Sequence, residues 1–133
     1  MAVLSDPIAD FLTRVKNAGN ARNEACSAPY SNIKAEVARI LQEEGYIWSF
    51  EVKGEGKDKA IYVKTKFTPA GKPVITDVKR CSKPGRRLYV HSEEIPTVMN
   101  GLGISIVSTS SGMMTGAKAR KLKIGGELIA LVW

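Results

Sequence analysis

Four consecutive hydroxyl residues, Ser108, Thr109, Ser110 and Ser111, stand immediately before Gly112. Short hydroxyls donate and accept hydrogen bonds at close range, which suits them to a sugar, a phosphate or a base edge. Long cations gather elsewhere in the second half of the chain. Lys79, Arg80, Lys83, Arg86 and Arg87 form one group, and Lys118, Arg120, Lys121 and Lys123 another, with no acid inside either run. Like charges so crowded repel one another unless an anion lies nearby, so a hydroxyl cluster beside such surface is a candidate RNA contact. The plain alternative is a solvated hairpin turn with a solubilising basic tip.

Catalytic patterns fail residue by residue. Ser110 lacks the nucleophile-elbow context G-x-S-x-G, because position 108 is serine. His91 is the single histidine, so a hydrolase using a Ser110–His91 dyad is the one enzymatic alternative, and a partly exposed strand histidine is the simpler account. Gly112 and Gly116 are separated by three residues where a phosphate loop needs four, and Ala117 precedes Lys118. Gly101 and Gly103 lack the third glycine of a dinucleotide fingerprint, position 106 being isoleucine. Cys26 and Cys81 have no CxxC or CxxH context and are expected as reduced thiols. Glu43–Glu44 and Glu93–Glu94 are adjacent acids, not spaced carboxylate pairs. No metal constellation and no cofactor motif is present, and the expectation is a binding protein, not an enzyme.

Charge supports that expectation. Twenty Lys and Arg against thirteen Asp and Glu give +7, enough to attract a polyanion. Residues 1–66 hold ten basic and nine acidic side chains, whereas residues 67–133 hold ten and four, so the excess belongs to the second half. An apolar fraction of 44% suffices for a core. No apolar run reaches membrane-spanning length and the first residues lack signal-peptide regions, so a cytoplasmic protein is expected.

The elements that must position these residues follow from periodicity. Asp6 suits a cap and Pro7 the first position of a helix, with Ile8, Phe11, Leu12 and Val15 as its apolar stripe. Residues 17–20 end it, which places Arg14 and Lys16 near its C-terminal end. A polar connection leads to Pro29. Ser31 or Asn32 caps a second helix that buries Ile33, Val37, Ile40 and Leu41, and Gly45 stops it. Residues 46–52 read as a strand, 54–59 as a turn, and 60–67 as a return strand alternating at Ile61, Val63 and Thr65. Pro69 and Pro73 mark a boundary between domains at 1–67 and 74–133. Beyond it, 74–80 and 87–90 are predicted as a hairpin whose tip carries five cations. A short helix over 95–101, a strand–turn–strand over 103–115, a helical turn or loop at the second basic run, and a closing strand over 127–133 complete the chain. The fold class is α+β: an N-terminal α/β domain, two helices on a small sheet, followed by a mainly β domain with one short helix.

Taken in order, several motifs resemble one family, the eighth protein of the bacterial small ribosomal subunit. They are Asp6-Pro7-Ile8-Ala9-Asp10 with Leu12-Thr13-Arg14, Ser82-Lys83-Pro84-Gly85 with Arg87, and Gly101-Leu102-Gly103-Ile104. Ser108-Thr109-Ser110, Gly112 and Met114-Thr115 follow, then Gly125-Gly126-Glu127. The resemblance covers essentially the whole chain. It implies a two-domain fold that binds a helical segment of the central domain of small-subunit ribosomal RNA early in assembly, in the ribosome of the cytoplasm. It also implies neighbouring small-subunit proteins as partners and, as a further family role, the protein's own operon messenger RNA. Ser108, Thr109, Ser110 and Gly112 would be the principal contact, with Tyr89, Arg87 and Glu127 beside them. Lys83, Arg86, Arg87, Lys118 and Lys121 would supply affinity. Glu127 would accept a hydrogen bond from a base amine or hold the hydroxyls of the turn. Ser111 stands where many relatives carry Lys or Arg, which weakens a phosphate contact from that residue, and Asn32 stands where relatives often have a basic residue, which lowers the share of RNA binding expected of the N-terminal domain. A general nucleic-acid-binding module, needing only the basic patch, is the rival class.

Overall fold

Proline has no N–H to lose at the first position of a helix, and α1 (Pro7–Asn20) begins there in a computed structural model that describes residues 6–133. The helix buries Ile8, Phe11, Leu12 and Val15 as the stripe requires, and continues through Ala18 and Gly19. Its last turn therefore holds no cation. Arg14 lies in mid-helix, bonded to Asp10 one turn back at 2.8 Å and to the Ser27 carbonyl at 3.1 Å.

The expected polar connection contains a strand, β1 (Ala25–Pro29). Small residues and a single buried side chain, Ala28, hid it from a search for apolar alternation. Ser31 caps α2 (Asn32–Glu43), its hydroxyl accepting from the Lys34 N–H at 3.2 Å. Val37, Ala38, Ile40 and Leu41 are buried, but Ile33 is 50% exposed. Lys34 turns inward instead and donates to the Pro29 carbonyl at 2.9 Å, so its ammonium is satisfied at the edge of the core. With β2 (Ile47–Lys53) and β3 (Ala60–Thr65) an antiparallel sheet forms in the order β1-β3-β2. Ile61, Val63 and Thr65 of the central strand are buried, while Tyr62 and Lys64 alternate outward.

Two compact units emerge, residues 7–76 and residues 77–133 with Asp6. The proline-rich loop after β3 is tied into the first: Thr68 N–H donates to Lys72 O at 2.7 Å, Val74 N–H to Lys66 O at 3.0 Å, and Ile75 is buried. The strand expected over 74–80 is accordingly only β4 (Val78–Arg80).

In the second unit β5 (Tyr89–Val90) does not return along β4. Both lie antiparallel to β8 (Gly126–Val132), β4 beside residues 130–132 and β5 beside 126–127. Backbone bonds from Cys81 N to Ile129 O, Ser82 N to Leu128 O and Leu128 N to Leu88 O carry the pairing between them. The predicted hairpin is thus one interrupted edge strand, from which a tight turn at residues 83–86 stands out. The order β4-β8-β6-β7 is completed by β6 (Ile104–Thr109) and β7 (Gly112–Thr115), with β5 also beside β8. The helix expected over 95–101 is absent. One 3-10 turn at Ser92–Glu94 precedes the region and another at Met99–Gly101 ends it, and left-handed backbone at Met99 and Asn100 (φ 49° and 54°) prevents a continuous helix. The second basic run forms α3 (Gly116–Lys121), whose Ala119 packs with Ile95, Val107, Met114 and Leu128. No helix among the described residues is long and apolar enough to cross a membrane.

A bulge in β8 leaves Ile129 unpaired between the Ile106–Ala130 and Val107–Leu128 pairs. Its carbonyl accepts from Arg80 Nη1 at 2.7 Å, and Arg80 Nε reaches both Asp6 oxygens at 3.1 Å. With its side chain 8% exposed, Arg80 is an internal brace and not one of the cations of a basic tip. Arg80→Met should cost about 2–3 kcal/mol in urea denaturation, less than a fully buried pair because Asp6 keeps some water. Arg80→Lys should recover only part of that, since an ammonium lacks the planar fork that serves carboxylate and carbonyl together.

Candidate nucleic-acid interface

The hydroxyl run forms the tip of the β6–β7 hairpin, closed by the Thr109–Gly112 pair around Ser110 and Ser111. Thr109 Oγ1 donates to Gly112 O at 2.7 Å and accepts from Ser111 N–H at 3.1 Å, so this hydroxyl is committed to the turn. Gly112 has φ +108° and open space where a Cβ would stand. Glycine is needed there for its backbone conformation, not for room. Ser110 and Ser111 are exposed, and Ser108 is half-buried below them.

Residues paired across neighbouring strands share a face. Tyr89 pairs with Glu127, Glu127 with Ser108, and Ser108 with Met113, which makes a row across β5, β8, β6 and β7. Tyr89 is 69% exposed at one end of this row. Val107 and Leu128, one residue along, point to the other face, where α3 packs. Lys118 and Lys121 therefore rise from the side opposite the row, and Arg120 is drawn down to the Ile95 carbonyl at 2.6 Å.

Glu127 sits at the centre of the row with its side chain 16% exposed. Its Oε2 accepts from the Ser82 hydroxyl and from Arg87 Nη1 at 3.0 Å. Ser82 is fully buried, and its oxygen also accepts from the Leu88 N–H at 3.1 Å. Both bonds to Glu127 end on the same oxygen, and Oε1 takes no hydrogen bond from the described residues. The carboxylate thus holds Ser82, not the hydroxyls of the turn. Ser82 is the participant that sequence reasoning missed. It lies in an ordinary Ser-Lys-Pro-Gly turn pattern, and its partner is 45 residues away.

The two glycines before Glu127 answer to close backbone approach. A Cβ at Gly126 would collide with the Ser108 carbonyl, and one at Gly125 with that of Val90. Together with Tyr89, Val90, His91 and Glu94 they line a shallow groove of about 420 Å³. His91 is turned to Glu94, whose carboxylate accepts from the His91 backbone N–H at 3.0 Å, and no hydrogen bond joins it to Ser110. Lys83 and Arg86 exchange backbone bonds at 3.0 and 2.9 Å, and their side chains are exposed on the turn that leaves the edge. Cys81, packed against the core beneath α3, has its thiol pushed up by burial, against the opposing pull of Lys79, Arg80 and Lys83. It and Cys26 are free thiols. Among the described residues no three His, Cys, Asp or Glu side chains are grouped to hold a metal.

Known proteins match along nearly the whole chain. A family model described as Ribosomal protein S8 covers residues 6–133. A small ribosomal subunit protein uS8 of Lactobacillus delbrueckii subsp. bulgaricus is 50% identical over 131 residues, 98% of this chain and 99% of that one. Proteins of the same name from Streptococcus pneumoniae show the same identity over the same span.

The division of labour among the hydroxyls is testable without a ligand. Thr109→Ala removes two hydrogen bonds from the turn and should lower stability by about 1 kcal/mol. Ser110→Ala removes none and should stay within about 0.5 kcal/mol of the parent. Denaturant melts of the two variants decide it.

Proposed function

The chain belongs to the ribosomal protein S8 family, a family of small-subunit ribosomal proteins, and on that premise we propose that it binds directly to a helical segment in the central domain of small-subunit ribosomal RNA and helps organise assembly. The observation that carries this reading is the row Tyr89–Glu127–Ser108 beside an exposed Ser110. It offers an aromatic face, an acceptor and a set of short hydroxyls on one side of a rigid sheet.

Helical RNA hides base edges in a deep major groove and presents 2′-hydroxyls in a shallow minor groove. Ser108, Ser110 and Ser111 are short enough to approach that surface. Thr109 and Gly112 hold the turn in shape. Glu127 accepts from a base amine through Oε1, while Arg87 and Ser82 fix the other oxygen. Lys83 and Arg86 meet phosphate from the projecting turn, and Lys118 and Lys121 engage phosphate from the other side of the sheet. The role is structural and not catalytic, and its setting is the ribosome in the cytoplasm, among neighbouring small-subunit proteins. Binding to its own operon messenger RNA would use the same surface.

Binding isotherms on the cognate RNA helix at several salt concentrations test the assignment. Lys83→Ala and Arg86→Ala should each flatten the dependence of log affinity on log salt by about one unit. Ser110→Ala should lose about 1–3 kcal/mol of binding with the slope unchanged, because no cation is removed. Equal affinity for an unrelated duplex at matched salt would leave only a general nucleic-acid-binding module. Parental affinity in a Ser108→Ala, Ser110→Ala double variant would remove the turn from the interface.

A further inference from the structure

The outward face of the first unit's sheet carries two aromatic rings that the core does not use. Tyr62, on the central strand, is 45% exposed between exposed Ser27 and Glu51 on its neighbours. A bulge in β2 between Ile47 and Ser49 turns Trp48 outward next to the Lys64–Thr65 stretch of β3, where it is 57% exposed. Single exposed aromatics are ordinary. Here two share a face, and each has an ammonium over its ring: Lys66 Nζ lies 4.8 Å from the Trp48 centroid and Lys53 Nζ 5.4 Å from that of Tyr62. A third pair, Lys59 over Tyr30 at 4.1 Å, is different in kind, because Tyr30 is half-buried and its hydroxyl is tied to Asn32.

Tyr62 and Lys64 alternate outward along β3, about 6.8 Å apart, close to the phosphate repeat of an extended single strand, and Lys66 follows just past the end of the strand. Glu51 is the one acid among the outward residues of β2 and β3, and it already pairs with Lys53 at 3.2 Å, so the remaining charge is positive. Serines and lysines separate the rings, which breaks up the apolar area a protein partner would bury. A flat ring face with a movable ammonium suits a different ligand, an unpaired nucleotide whose base stacks while its phosphate takes the cation.

We propose that this face, built on Trp48, Tyr62, Lys64 and Lys66, is a stacking platform for a short unpaired stretch of RNA. The inference rests on the chain being an RNA-binding protein, but it uses a surface and an RNA form that the hairpin turn does not. Fluorescently labelled octauridylate, titrated into the full chain and followed by anisotropy, is the probe, with helical ribosomal RNA measured in parallel. Trp48→Ala combined with Tyr62→Ala should weaken octauridylate binding by roughly thirtyfold or more and leave helical RNA binding unchanged. Trp48→Phe with Tyr62→Phe should restore most of the affinity, and Lys64→Ala should reduce its salt dependence. Thermal melts establish that each variant is folded. Octauridylate affinity equal in the parent and the folded double-alanine variant would overturn the platform, as would no binding by a parent that still holds helical RNA. Failure with both RNAs would overturn the proposed function as well. If the double-alanine variant keeps its octauridylate affinity but is excluded from reconstituted small subunits, the face belongs to a protein neighbour and the proposal fails.

Discussion

A carboxylate set into the middle of a sheet must be given donors before any of it is left for a ligand. Glu127 receives two, Ser82 from the edge and Arg87 from beyond the projecting turn, both on Oε2. Much of the second unit's irregularity serves that arrangement. The edge strand breaks at residues 83–86 so that Ser82 is buried under the carboxylate while Arg87 comes up alongside it. Gly125 and Gly126 let β8 lie close to the backbones of β5 and β6, where any side chain would force the strands apart. The Arg80 brace on the bulged Ile129 carbonyl holds the other half of the same edge. A carboxylate at 16% exposure would be costly without donors, and the two on Oε2 keep it paired.

Charge counted along the chain differs from charge in space. Five cations around residues 79–87 look like a self-repelling tip, yet two of them meet acids distant in sequence. Arg80 is bound by Asp6, 74 residues earlier, and Arg87 by Glu127, 40 residues later. Lys79, Lys83 and Arg86 remain exposed. Under the proposed function Lys83 and Arg86, with Lys118 and Lys121, supply the salt-dependent attraction, while Arg87 orients an acceptor, two effects that a net charge of +7 cannot separate.

Local signals were legible in both units, and pairing between residues distant in sequence was not. The cap at Ser31 or Asn32, the alternation in β3 and the hydroxyl hairpin were legible because each depends on residues within a few positions. β1 was not, since Ala-Cys-Ser-Ala-Pro earns its place by backbone bonds to β3 and buries one methyl. The runs 74–80 and 87–90 have strand character, and nothing in them reveals that their common partner is β8. Ile33 was misplaced because the helical stripe fits equally well with Lys34 turned inward to the Pro29 carbonyl. Of the proposed site, the hydroxyls and Gly112 could be read from residue type and Glu127 only from the family resemblance, whereas Ser82 could not be read at all, because its part is wholly a matter of burial.

The same geometry explains how a weakly cationic surface could be selective. Thr109 and Gly112 fix the turn before a ligand arrives, so Ser110 and Ser111 are presented without the entropy cost of ordering a loop. Glu127 acts in the opposite direction on a generic polyanion. A partly exposed carboxylate repels phosphate, and an RNA that brings no donor to Oε1 leaves that repulsion uncompensated. An RNA that places an amine there converts the same group into an acceptor. If the chain binds RNA as proposed, discrimination comes from a penalty on the wrong ligand as much as from attraction to the right one. Under the proposed function, Glu127 at the centre of the row serves as a selector and not as an accident of charge.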